Sequence, residues 1–182
     1  MGRGPSQSLE ECEPAHNGAE KRIILIIDLC CGKGRWQIDG EEVISLDSDP
    51  KVRPTIVADV RCLPFRPGIR PRLAHASPPC TYLSFARIRS KGYNEQMIAE
   101  SLEIIAACFR AFIYLEAERW TLENPGSGLL QRIMPPDGRT AYDAYDIKGK
   151  KAAFWSNDKG LKRALMPKEI RDILAQEQLE SA

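Results

Sequence analysis

Cys80 follows two prolines, Pro78 and Pro79, directly after the short apolar run from Leu73 to Ala76, which reads as a strand. The prolines fix φ and remove two backbone donors, so the turn holds a thiol out at a strand end with little conformational entropy left to lose, suited to attack on a bound electrophile. Between residues 60 and 94 the chain has no Asp or Glu, whereas Arg61, Arg66, Arg70, Arg72, Arg87, Arg89 and Lys91 crowd the same stretch. A thiol ionises more readily among cations, and the same cations suit a phosphate backbone. Taken alone, Cys80 also reads as a small buried residue after a proline turn. The order of the other reactive types along the chain outweighs that reading. Glu123 ends the apolar-leading run Trp120-Thr121-Leu122 and precedes Asn124 and Pro125. A carboxyl group held partly out of water at a strand end serves as a general acid, Asn124 can brace a neighbouring loop through its amide, and Pro125 stops the strand.

Strands must carry these groups to one edge. Ile23 to Asp28 is an apolar, β-rich run of the kind expected for a buried parallel strand, and Leu29-Cys30-Cys31-Gly32-Lys33-Gly34 follows it as a glycine turn that lets a ligand approach the backbone. Val43 to Leu46 reads as a second strand ending in Asp47, and Thr55 to Ala58 as a third ending in Asp59. Carboxylates at the carboxyl ends of parallel strands line the crevice where open α/β sheets bind nucleotides. Singly, Asp47 and Asp59 read equally well as turn or cap residues. Gln37 stands where a dinucleotide fingerprint needs its third glycine, which weakens a nicotinamide or flavin reading.

The longest helix is expected from Asn94, a good N-cap, to about Glu118, with Ile98, Leu102, Ile105, Phe109 and Phe112 forming a stripe against the sheet. Gly126 to Met134 reads as a short helix before a Pro135-Pro136-Asp137-Gly138 turn. Tyr142 to Ile147 and Ala152 to Trp155 read as a hairpin around Lys148-Gly149-Lys150-Lys151, and a last helix is expected from Pro167 to about Gln178. Residues 1 to 20 mix Gly, Pro, Ser and Glu without periodicity and are expected to be a disordered tail, leaving residues 21 to 182 as a single domain.

The 182 residues carry 26 basic and 25 acidic side chains, a net charge of +1, so a nucleic-acid surface must come from local clustering. One cluster surrounds Cys80; a second runs through Lys148, Lys150, Lys151, Lys159, Lys162 and Arg163. The 6 cysteines and 2 histidines lack metal-ligand spacing, so no metal is expected, and His75 reads as a core residue or a support beneath the Cys80 turn. Neither a signal peptide nor an apolar stretch of membrane-spanning length is evident, and the expectation is a reducing, intracellular setting.

Together these residues resemble the DNA cytosine-5 methyltransferase family, in particular its small phage-like members. Asp28-Leu29-Cys30-Cys31-Gly32-Lys33-Gly34 resembles the first S-adenosylmethionine motif and Val43-Ile44-Ser45-Leu46-Asp47 the second, while Asp59 falls at the adenine-contacting acid. Ser77-Pro78-Pro79-Cys80 with Ser84 resembles the nucleophile loop, and Glu123-Asn124-Pro125 the strand-end glutamate motif. Tyr142, Tyr145 and Phe154-Trp155-Ser156-Asn157 resemble the Tyr-rich strand and Trp-bearing end of the small members. The motifs fall in family order, which is more specific than any one of them.

The resemblance implies a Rossmann-like S-adenosylmethionine-dependent methyltransferase fold of α/β class, with a mostly parallel sheet and helices on both faces. It implies S-adenosylmethionine as cofactor, held by Asp28, Cys30, Gly32, Gly34, Asp47, Asp59 and Pro78; Cys80, Glu123 and Asn124 as catalytic residues; and DNA, duplex or single-stranded, against Ser84, Arg87, Arg89, Lys91, Lys150 and Lys151. The chain departs from larger members in three ways. The stretch from Gly34 to Val43 is too short for a full first helix, no separate target-recognition domain fits after Glu123, and neither a C-terminal motif that would complete the cofactor pocket nor the Gln-Arg motif at its expected place is evident, Gln131-Arg132 lying too close to Glu123. Specificity is then short, loose, or supplied by a partner subunit or a second copy. Two alternatives stay open. One is a non-catalytic nucleic-acid or partner-binding module that keeps the fold. The other is an amino-group methyltransferase acting on N4 of cytosine or N6 of adenine, in which an aromatic residue would stand at Cys80 and for which Tyr82, two residues on, is the available ring.

Overall fold

The computed structural model describes residues 24–33, 38–141 and 151–158. The expected tail, the strand Tyr142 to Ile147, the last helix from Pro167, and the site residues Gly34 and Lys150 lie outside the described residues.

Strand β1 (Leu25–Leu29) falls on the first apolar run, with Ile26, Ile27 and Leu29 fully buried, as a strand covered on both faces requires. To one side lie β2 (Glu42–Asp47) and β3 (Ile56–Val57), to the other β4 (Leu73–Ala76) and β5 (Arg119–Pro125), all parallel. Beyond β5, β7 (Lys151–Ser156) runs antiparallel, and β6 (Gly138–Ala141) pairs antiparallel with β7, giving the order β3-β2-β1-β4-β5-β7-β6. The fold is thus α/β with a mixed, mostly parallel sheet, compatible with a Rossmann-like arrangement. The chain builds outward from β1 through β2 and β3, then returns to the other flank of β1 as β4. That reversal leaves a crevice at the carboxyl ends of β1 and β4.

Helix α2 (Glu95–Tyr114) starts where expected, because the Asn94 side chain accepts a hydrogen bond from the Met97 amide at 3.0 Å. Its stripe buries Ile98, Ile105, Cys108, Ala111 and Phe112 against Ile27, Leu29, Ala74, Ala76 and Leu122 of the sheet. Phe112 stacks on Trp120 with ring centroids 5.2 Å apart, and Phe109 meets both rings edge-on, tying the helix to β5. The helix stops at Tyr114, short of the expected Glu118. Glu116 turns left-handed (φ 52°), its amide bonding the Ile113 carbonyl and that of Ala117 bonding the Phe112 carbonyl. Helices usually end this way on glycine, so the stop gives no compositional sign here.

Two further differences from the sequence expectations have local causes. Helix α1 (Phe85–Lys91), unforeseen, grows out of the Cys80 turn, and Arg89 and Lys91 in its last turn suit the negative end of its dipole. Gly138, expected in a turn, begins β6, because Asp137 locks this segment onto β7. The Asp137 amide donates to the Phe154 carbonyl and its carboxylate accepts from the Ser156 amide, each at 2.8 Å. On the α2 face of the sheet, helix α3 (Leu130–Ile133) joins α2 through Leu130; among the described residues the opposite face carries a smaller cluster of Ile26 and Leu73 with Ile24, Ile38 and Val43.

Candidate functional site at the β1/β4 crevice

Two turns meet at the reversal point. The Ser77 amide donates to the Leu29 carbonyl at 3.1 Å, so the proline turn leaving β4 is stitched to the end of β1. On the other flank, the Cys31 amide donates to the Leu46 carbonyl and the Gly32 amide to Asp47 Oδ2 at 2.9 Å, fixing the glycine turn against β2. Gly32 has φ 55°, which favours glycine, and a Cβ built there would meet no atom within 4 Å. Open space therefore lies against its backbone.

Asp47 accepts from Gly32 and, through Oδ1, from the Asp49 amide at 2.9 Å, so its half-buried carboxylate is oriented at the strand end. Asp59 is differently placed. Arg61 grips it with Nε 3.0 Å from both oxygens and Nη2 2.6 Å from Oδ2, and this hydrogen bonding holds the carboxyl below its ordinary range. Asp28 is buried inside β1, at the strand position paired with His75. Cys30, also left-handed at φ 53°, hydrogen-bonds Cys108 of α2 through its side chain. That contact and burial raise its thiol far above the usual range, leaving the Cys30 backbone as its group for a ligand.

Cys80 is half-buried and sits at the mouth of a tight turn: its carbonyl accepts from the amides of Leu83 (3.1 Å) and Ser84 (3.0 Å). Pro78 is buried, and its carbonyl accepts from Asn124 Nδ2 at 3.4 Å, the bracing expected of that amide. Because Ala76 pairs with Leu122, Glu123 stands level with Ser77 on the neighbouring strand, half-buried, and β5 ends at Pro125 as expected. The two connections are also clamped further out. Ser84 and Gly128 form an antiparallel bridge, and the Leu129 amide donates to the Leu83 carbonyl at 2.8 Å. A Cβ on Gly128 would lie 2.7 Å from that carbonyl oxygen, so only glycine allows the approach. Gln131 Nε2 ties back to the Pro125 carbonyl at 2.8 Å.

Six of the seven cations around Cys80 divide into two sets. Arg61, Arg70 and Arg72 are engaged by Asp59, Glu116 and Glu118, all three supplied from beyond the acid-free stretch. Arg89 and Lys91 are exposed on α1, where Ser84 stands at the N-cap position, and Arg87 lies over the Tyr82 ring, 5.3 Å from its centroid. Lys151 opens β7 opposite Ala141.

Sequence reasoning missed Gly128, Gln131 and the pairing of His75 with Ser77, whose Nε2 and Oγ lie 2.8 Å apart. Alternation along an extended segment, which puts residues 75 and 77 on one side, was the available signal for that pair. Nothing local marked Gly128 over Gly126. Among the described residues there is no group of metal-ligating side chains and no helix long and apolar enough to cross a membrane. No protein-family model matches the chain, and no curated protein matches it either.

Proposed function

We propose that the chain is an S-adenosylmethionine-dependent cytosine-5 methyltransferase acting on nucleic acid. The reading is carried by one juxtaposition: a glycine turn with open space at Gly32 beside a proline-held thiol, Cys80, whose turn is hydrogen-bonded by the neighbour of a strand-end acid, Glu123. Gly32 and Asp47 fit the cofactor's backbone approach and ribose hydroxyls. Asp59 fits only if it also releases Arg61. S-adenosylmethionine, when bound, supplies an electrophilic methyl group.

Carbon 5 of cytosine is a weak nucleophile, and the chain's own residues supply its activation. The Cys80 thiolate adds to C6, forming the C6–S bond and opening the C5–C6 double bond to an enamine, while Glu123 donates a hydrogen bond or proton at N3 to take up the developing charge. Once C5 carries the methyl group, loss of the C5 proton to a base and expulsion of the Cys80 thiolate restore the aromatic ring. Both faces of the base must be reached, so the target is flipped out or single-stranded. Arg89 and Lys91 on α1 lie near enough in the chain to hold its phosphates.

The amino-group alternative needs a free ring to stack on the base, and Arg87 already covers a face of Tyr82. The non-catalytic alternative draws on the Asp59–Arg61 pair, which occupies the expected adenine contact. The decisive experiment is incubation with S-adenosylmethionine and oligonucleotides containing 5-fluorocytosine, in which fluorine blocks the final proton loss, followed by intact mass of the denatured protein. A covalent adduct mapping to Cys80, absent from Cys80→Ala while that variant still binds cofactor, is the expected result. Cofactor binding with no adduct on duplex DNA, single-stranded DNA or RNA would refute the proposal in favour of the binding module.

A further inference from the structure

Beneath the crevice, one face of the sheet is polar from strand to strand. The register pairs Ser45 of β2 with Asp28 of β1, Asp28 with His75 of β4, His75 with Thr121 of β5, and Thr121 with Ser156 of β7. Partners across adjacent strands point to the same side, so these residues form a continuous row, and none is more than 5% exposed. Buried polar groups are costly unless hydrogen-bonded, and the ends of the row are closed locally. Ser45 Oγ lies 3.1 Å from Thr55 Oγ1, and Ser156 Oγ donates to the Trp120 carbonyl at 2.8 Å. The centre of the row reaches upward instead. His75 Nε2 meets Ser77 Oγ, one residue past the end of β4 and immediately before Pro78-Pro79-Cys80.

We infer that His75 is a positioning residue for Cys80: held in the polar row between Asp28 and Thr121, its imidazole fixes Ser77 and thereby the start of the turn that presents the thiol. The inference rests on the proposed role of Cys80 as nucleophile. One observation supports a positioning role over simple filling of space. Ser77 is gripped from two directions, its hydroxyl by His75 and its amide by the Leu29 carbonyl, whereas Pro78 and Pro79 have no backbone donors with which to hold themselves. Burial pushes the His75 pKa down to about 3, so the ring meets Ser77 uncharged throughout the neutral range.

The test compares the native chain with His75→Ala, His75→Gln, Ser77→Ala and the double variant His75→Ala/Ser77→Ala. Two readouts are taken: the rate of 5-fluorocytosine adduct formation, and the alkylation rate of Cys80 by iodoacetamide relative to the exposed Cys62. Loosening the turn is expected to speed Cys80 alkylation relative to Cys62 and to slow adduct formation by about tenfold or more, since a small misplacement of a reacting group costs that much. Cofactor affinity should not change, His75→Gln should restore both rates, and the double variant should behave like either single one. Should His75→Ala fail to fold, Ser77→Ala, which leaves only a small gap, decides the matter. Alkylation and adduct rates unchanged in the folded variants would overturn the inference. If the native chain forms no adduct, the proposed function fails, and the alkylation ratio still tells whether His75 and Ser77 hold the turn.

Discussion

His75 makes the stability of the fold depend on pH in a direction opposite to that of an ordinary ion-paired histidine. Its ring is buried and its pKa falls from 6.5 in an unfolded chain to about 3 in the fold. Between those values the unfolded chain takes up a proton that the folded chain refuses. The contribution to stability is therefore complete above about pH 6.5 and is lost as pH falls towards 3, at ~1.4 kcal/mol per pH unit. At pH 5 the loss amounts to about 2 kcal/mol, a large share of a typical domain's stability. Urea unfolding of the native chain and of His75→Gln at pH 7.5 and pH 5 isolates this effect, because every other ionisable group is common to both proteins. The native chain should lose about 2 kcal/mol more than the variant over that interval. Asp28, paired with His75 across β1 and β4, supplies the rival outcome. A buried His75–Asp28 ion pair would keep the ring charged, raise its pKa and make the native chain lose less than the variant. Equal losses, or a smaller loss in the native chain, would refute a neutral buried imidazole.

Gly128→Ala should destabilise the fold by about 1–3 kcal/mol, the usual range for overpacking, because the new Cβ would stand 2.7 Å from the Leu83 carbonyl oxygen; a melting temperature equal to that of the native chain would show the clamp to be soft. Glu116→Gly should stabilise the chain by about 1 kcal/mol through relief of the left-handed turn at the end of α2, since the exposed Arg70–Glu116 pair it removes contributes little; a lowered urea midpoint would mean that the ion pair outweighs the strain.

How far the fold was legible depended on whether its determinants are local. The runs that became β1, β2, β4 and β5 carry their own hydrophobicity, and Asn94 announced the start of α2 because an N-cap acts within one turn. The end of α2 was invisible because Glu116 does the work of a glycine. The acid-free stretch around Cys80 suggested a run of available cations, yet Arg70 and Arg72 meet acids from residues 116 and 118, which only folding brings near. Of the candidate site, Asn124 braced the loop it was expected to brace. Asp59 instead faces an arginine two residues on, a competition that the carboxylate pattern at strand ends does not encode.

The clamp between Leu83-Ser84 and Gly128-Leu129 also separates positions where chain length matters from one where it does not. The groups that set the thiol, Ser77 and Asn124 among them, sit at strand ends, whereas the joint between α1 and α2 is a surface loop, with residues 91–96 exposed and Gly92 (φ 81°) facing open space. Chain inserted at that joint would leave the Cys80 turn undisturbed and emerge beside Arg89 and Lys91. A fold of this design can thus acquire or shed an added module at one surface loop, and, on the proposed function, the joint is the natural place to graft one that reads sequence.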